Sequence, residues 1–277
     1  MKNLLFFMLS VFAFDIPMCH SQVPSTWNSS YDPSYAPITK KSLSTVMRRN
    51  SKNAVLLLQL IEKSQTFKYG DVAFKTLDSM RQQYPTNAEV QAVYCWAYLQ
   101  QIDTAYVKGG DYRERAKIEQ SSFESALSQS RKISPNNWLL VFIDGYRNYA
   151  GGVEDWQKAL PLLERATILA PQDKYARAFC WTYYGSALNL AAMRTKVTYY
   201  KDKPVTHQRA VQALETAAKI DPRQTSTWLT LFSIYQDDLP SRQDAIRAKR
   251  GFLRALPPQR RAKLPKWIKQ SLARYPD

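Results

Sequence analysis

Cysteine, histidine and glycine are scarce in this chain of 277 residues, and each scarcity removes a class of function. There are three cysteines, two histidines and eight glycines. Cys19 and His20 lie in an N-terminal segment that reads as a leader, so Cys95, Cys180 and His207 carry the argument. Two cysteines are no disulfide framework. Both lie in apolar helical stretches, where a cysteine serves as a small buried hydrophobe. A single histidine is too few for a His-based triad or a His-rich metal site. His207, next to Thr206, reads as a helix-start residue. The chain has no Cys-x-x-Cys, no glycine-rich phosphate loop and no serine elbow. No catalytic residue, metal or cofactor is therefore expected, and an enzyme is the least supported class.

Long apolar runs are scarce too. The one candidate covers residues 4–14, broken only by Ser10, preceded by Lys2 and ended by Asp15. About 11 residues suit a signal peptide and fall short of the roughly 20 needed to span a membrane. Residues 1–21 are expected to be a signal peptide cut after Ser21, which makes the protein exported: periplasmic, envelope-bound or secreted. A retained anchor ranks second. Lipid attachment at Cys19 ranks third, because Met18 is bulky for the position before a lipidated cysteine. Residues 22–43, with Pro24, Pro33, Pro37 and several serines, have no periodic apolar face and read as a flexible linker.

Acidic residues are under-represented. There are 39 Lys and Arg against 23 Asp and Glu, a net charge of +16. From Arg242 to the end the balance is eleven basic residues to two aspartates. A basic exported protein suits an acidic protein surface, an anionic polymer or an anionic membrane face. Export makes nucleic acid an unfavoured partner.

What the chain has in abundance is helical pattern. Apolar residues make up 45% of it, enough for a core. Five amphipathic segments end at Pro85, Pro135, Pro171, Pro222 and Pro257. Before Pro171, the residues Ala159, Leu163, Ala166 and Leu169 share one helical face. Before Pro222 the face is Ala210, Leu214, Ala217 and Ile220. Before Pro257 it is Ala245, Lys249, Phe252 and Ala255, where Lys249 breaks the pattern. The preceding segments carry Trp228-x-x-Leu231-Phe232-x-x-Tyr235 and Trp181-x-x-Tyr184-Gly185-x-x-Leu188. Weaker copies are Trp138-x-x-Val141-Phe142-x-x-Gly145 and Trp96-x-x-Leu99.

Over roughly residues 52–257 this pattern resembles the tetratricopeptide repeat family. In that family a Trp, Leu, Gly and Tyr stripe on a first helix packs on small residues of a second, which ends at proline. Small residues let the helices approach, and large ones fill the groove to the next repeat. The resemblance implies an all-α fold: a right-handed solenoid of about five helical hairpins over 44–258. A basic capping helix at 259–277 would close its last face. It also implies an inner groove that holds a peptide. By register from the tryptophans, Tyr146, Arg147, Thr182, Asn189 and Gln236 face that groove.

The proline spacings are 50, 36, 51 and 35, so each long-plus-short pair spans 86 residues. Cys95-Trp96-x-Tyr98 recurs as Cys180-Trp181-x-Tyr183, a shift of 85. A two-repeat unit has been duplicated, its first member enlarged after the first helix. The enlargements, 101–121 and 192–206, mix tyrosine with lysine and arginine. Tyr112, Arg113 and Arg115 stand in the first, and Tyr199, Tyr200 and Lys201 in the second. Such residues suit contact with an acidic partner; the competing reading is a solvated extension whose tyrosines pack on their own hairpin. The expected function is a non-catalytic scaffold that binds a protein or peptide through the groove and the two enlargements. The alternative is a basic adaptor for an anionic polymer or membrane surface.

Overall fold

A computed structural model of the chain describes residues 40–66, 70–108, 112–149, 155–193, 199–256, 261 and 264–276. The expected signal peptide and most of the expected linker lie outside them. The described residues are mostly helical, as the sequence predicts. They fall into two compact units that meet between Leu140 and Val141.

The first unit contains α1 (Lys40–Arg49), α2 (Ala54–Thr66), α3 (Gly70–Gln83), α4 (Ala88–Lys108) and α5 (Tyr112–Ile133). Helix begins at Lys40, inside the expected linker. The cause is Leu43 and Met47, one turn apart and both fully buried. α1 packs on α2 and α3, α2 on α3 and α4, α3 on α4, and α4 on α5. Phe74, Tyr94, Tyr98 and Phe123 form a stacked series through α3, α4 and α5, with centroids 5.1 to 6.5 Å apart.

An asparagine governs the entries into α2, α4 and the helix that follows α5. Asn53 accepts from Leu56 N at 3.0 Å and starts α2. Asn87 accepts from Glu89 N and Val90 N and starts α4. Asn137 accepts from Leu139 N at 2.9 Å and starts the next helix. These are N-caps that satisfy otherwise orphaned amides. The same asparagines also donate backwards: Asn87 to Ser51 O at 2.9 Å and Asn137 to Glu89 Oε1 at 3.3 Å. One side chain thus starts a helix and bonds to residues earlier in the same unit.

α6 (Trp138–Tyr149) runs across the boundary. The second unit continues with α7 (Trp156–Leu169), α8 (Lys174–Ala192), β1 (Tyr199–Tyr200), β2 (Lys203–Pro204), α9 (His207–Ile220) and α10 (Thr225–Ser233). A π-helical turn (Ile234–Asp238), α11 (Arg242–Ala255) and α12 (Lys266–Ala273) complete it. Asp155, Asp173, Thr206 and Ser241 cap α7, α8, α9 and α11 through their side chains. α8 packs on α7, α9 and α10; α10 packs on α9 and α11. Gln224 repeats the backward tie, donating to Tyr175 O at 3.2 Å.

Two glycines set close approaches to a leucine of the next helix. A Cβ on Gly145 would lie 2.8 Å from Leu163 Cγ, and one on Gly185 would lie 2.7 Å from Leu214 Cγ. Leu163 and Leu214 each stand eight residues before their proline. Gly145 and Gly185 are therefore equivalent, and the Trp138 motif is offset by three residues from the alignment that its tryptophan suggests.

Lys249, the departure in the last small-residue face, is buried and donates from Nζ to Tyr275 O at 2.8 Å. Phe232 meets the Tyr275 ring edge-on at 5.5 Å. Leu264, Ile268 and Leu272 bury their side chains beside these ties. Of the expected capping segment 259–277, the described residues include α12. Among the described residues no helix is long and apolar enough to cross a membrane.

Candidate functional site

The residues expected in the inner groove are mostly consumed by packing. Tyr146 is 4% exposed and lies against Phe142 and Tyr183. Thr182, 3% exposed, donates to Ala178 O at 2.8 Å and shares a 2.6 Å hydrogen bond with Thr227, joining α8 to α10. Asn189 is 1% exposed, its Oδ1 lying 2.8 Å from His207 Nδ1. The same imidazole nitrogen is 3.8 Å from Asp238 Oδ2, which joins the start of α9 to the π-helical turn. These three side chains are corrected from groove surface to inter-helix ties. The sequence register does not show the depth of each position, which tertiary contact decides. Arg147 and Gln236 are half-buried, Gln236 within the π-helical turn.

The two enlargements differ. In the first, α4 runs on to Lys108 and α5 begins at Tyr112, so the added residues lengthen a helical pair. Tyr112, Arg113 and Arg115 occupy the opening turns of α5; their side chains lie outside the described residues. In the second, the chain leaves α8 and forms the hairpin β1–β2, with Tyr199 opposite Pro204 and Tyr200 opposite Lys203. Lys201 and Asp202 both have positive φ, 54° and 55°, as a tight two-residue hairpin turn requires.

This β-hairpin is latched. Tyr200 donates through its hydroxyl to Glu164 Oε2, and Lys201 Nζ lies 2.7 Å from the same oxygen. Arg209 donates to the carbonyls of Tyr200, Lys203 and Pro204 at 3.2, 3.2 and 3.3 Å. Its guanidinium also lies 5.7 Å from the Tyr200 ring centroid. Burial pushes the Glu164 carboxyl up, but hydrogen bonds from Lys201 and Tyr200 together with the Lys201 charge outweigh it and hold the pKa low. Burial, then the Glu164 bond and charge, push the Tyr200 hydroxyl up. Burial and the Glu164 charge raise Tyr184 to about 12. Tyr200 is thus held half-buried by the latch, Lys201 pairs with Glu164 from an exposed position, and Tyr199 is 64% exposed.

The arrangement recurs without a hairpin. Glu215 stands seven residues before Pro222, as Glu164 does before Pro171. Arg247 Nη2 lies 2.7 Å from Glu215 Oε1 and 3.0 Å from Asp244 Oδ1, and the Tyr235 hydroxyl donates to Glu215 at 3.3 Å. Burial and the Glu215 charge raise Tyr235 to about 12. Each tie thus gathers a Glu, a Tyr and an Arg: Glu164, Tyr200 and Arg209 in the first, Glu215, Tyr235 and Arg247 in the second.

Beside the second tie opens a cleft of about 610 Å³ between α10 and α11. Trp228 and Ile246 give it apolar walls, and Arg247, Arg250 and Arg254 line it with Asp244 as the one carboxylate. Gly251 makes room for the indole: a Cβ there would meet Trp228 Cδ2 at 2.3 Å. Trp228 Nε1 donates to Pro222 O at 2.8 Å, which fixes the ring.

No family model and no curated protein matches this chain. Function therefore has to be argued from the geometry. Arg247 belongs to both the second tie and the cleft, and the cleft joins an aromatic wall to several guanidinium groups. That combination can hold an anion beside an apolar group. Sequence reasoning passed over it by treating Arg247, Arg250 and Arg254 as diffuse tail charge. Their i, i+3, i+7 spacing beside Trp228 was the available signal.

Proposed function

We propose that this protein is an exported, non-catalytic scaffold of about five tetratricopeptide-type hairpins, in a right-handed solenoid arrangement, that binds a protein or peptide partner. The observation that carries the reading is the repetition of one packing device. Gly145 against Leu163 and Gly185 against Leu214 bring successive helices together at equivalent positions. Asn87, Asn137 and Gln224, at the entries to α4, α6 and α10, each donate back to residues earlier in the chain. Such construction holds surface side chains on rigid helices, which lowers the ordering cost of binding. The contact surface favoured by the geometry is the cleft beside Trp228 together with the exposed Tyr199, rather than the buried Tyr146, Thr182 and Asn189.

The test is capture of partners by the tagged full-length protein from the envelope fraction of its source, washed at low and at high salt. A protein partner retained at high salt in a fixed ratio is expected. The concentration of eleven basic residues from Arg242 onward supports the second reading, a basic adaptor for an anionic surface. That reading predicts capture that vanishes at high salt, because screening and counterion uptake remove the attraction.

A further inference from the structure

We infer that the cleft between α10 and α11 is a docking site for an acidic peptide segment carrying an apolar side chain. The inference rests on the scaffold reading and names the class of partner. Two features of the cleft decide the chemistry. Its lining sets three arginines against the single carboxylate of Asp244. Arg247 is already paired with Glu215 and Asp244, so it serves as a rigid wall. Arg250 and Arg254 are exposed along the same helix, where their forked guanidinium groups suit carboxylates. Between them the floor is apolar. Trp228 is half-buried, seated on Gly251 and anchored by its bond to Pro222 O. An indole held in one orientation and flanked by Ile246 accepts a leucine or phenylalanine at small entropic cost.

Charge complementarity selects the acidic partner, and the concavity selects a peptide over a membrane. A lipid surface is met by a convex apolar face that enters the bilayer. Here the apolar wall is recessed among the arginines, so a chain must enter to reach it.

The experiment titrates the full-length protein with a fluorescein-labelled peptide of alternating glutamate and leucine, read by anisotropy. The comparison probes are the same peptide with glutamine for glutamate, a heparin oligosaccharide, and vesicles of phosphatidylglycerol and phosphatidylcholine. The acidic peptide is expected to bind most tightly. R250E/R254E should weaken it at least about tenfold, since buried arginine contacts dominate interface energies. R242E/K219E, which changes charge equally on exposed positions outside the lining, should change it less than about twofold. Trp228→Leu should weaken it while the arginine contacts remain. The arginine variants keep the test valid if the tryptophan variant fails to fold, because both side chains are exposed. Equal affinities for the two charge-reversed doubles would overturn the proposal, as would equal binding of the glutamine peptide. Preference for heparin or vesicles would also overturn it, in favour of an anionic-surface site. Loss of the cleft with partner capture intact in the pull-down would leave the scaffold standing; loss of capture with peptide binding intact would do the reverse.

Discussion

The hairpins built on Cys95-Trp96 and Cys180-Trp181 begin alike. In each, the cysteine is buried within the first helix, and the tyrosine three residues later joins an aromatic cluster. In each, about fifteen to twenty extra residues rich in tyrosine and basic side chains follow. The outcomes then part. The first copy spends its extra residues on length, giving helices of 21 and 22 residues. The second stops at Ala192 and folds its extra residues into a β-hairpin latched on Glu164 and Arg209. Local chemistry explains the difference. Pro204 cannot donate within a helix, Val205 is β-branched, and Thr206 caps α9, so helix is broken there. The stretch from Gln101 to Lys108 has β-branched residues but no proline, so its helix continues. Equal composition at equivalent places does not produce equal structure.

Transplanting residues of the first copy into the second tests this most severely at Gly185, whose counterpart at a shift of 85 is Gln100. Gly185→Gln drives a side chain into Leu214 and toward Ala210 O, 3.2 Å from the new Cβ. It should cost about 1–3 kcal/mol or more, measured by denaturant unfolding, with Gly145→Ala nearer the lower end. No change would remove the close approach from the explanation. Thr182→Ala imports the residue at Ala97 and breaks the buried bond to Thr227. A loss of about 1–3 kcal/mol is expected, and Thr182→Ala/Thr227→Ala should recover part of it.

The latch carries smaller effects. Tyr200→Phe should leave global stability within about 1 kcal/mol while hydrogen exchange at Tyr200 and Lys203 accelerates. Unchanged exchange would mean that the hairpin holds without Glu164. Acidity gives the mildest test. The Glu164 pKa is depressed in the fold, so its contribution is present above the unfolded value of about 4.3 and lost as pH falls through the folded value. Hairpin protection should therefore weaken on acidification, and Glu164→Gln should flatten that dependence. A hairpin that weakens as pH rises would contradict the sign.

Helix and its punctuation were legible because proline and apolar period act locally. Pro85, Pro135, Pro171 and Pro222 each follow the end of a helix, and the small-residue faces before Pro171 and Pro222 lie on α7 and α9. Depth was less legible. Thr182 and Asn189 look polar in sequence, but they lie where α8 meets α10 and where α8 meets His207, and only tertiary contact decides that. The alignment of Trp138 failed for a similar reason: Gly145, not the tryptophan, marks the shared packing position. The cleft escaped notice because Trp228 and the arginines lie on different helices, and their meeting depends on Gly251 making room.

The central claim is that a scaffold presents the α10–α11 cleft to a protein partner. Its most direct test places a photo-crosslinking amino acid at Ile246, in the full-length protein within its native source. The account predicts one discrete adduct to a protein from Ile246, competed away by the acidic peptide. Adducts only to polysaccharide or lipid, or protein adducts that the peptide does not affect, would contradict it.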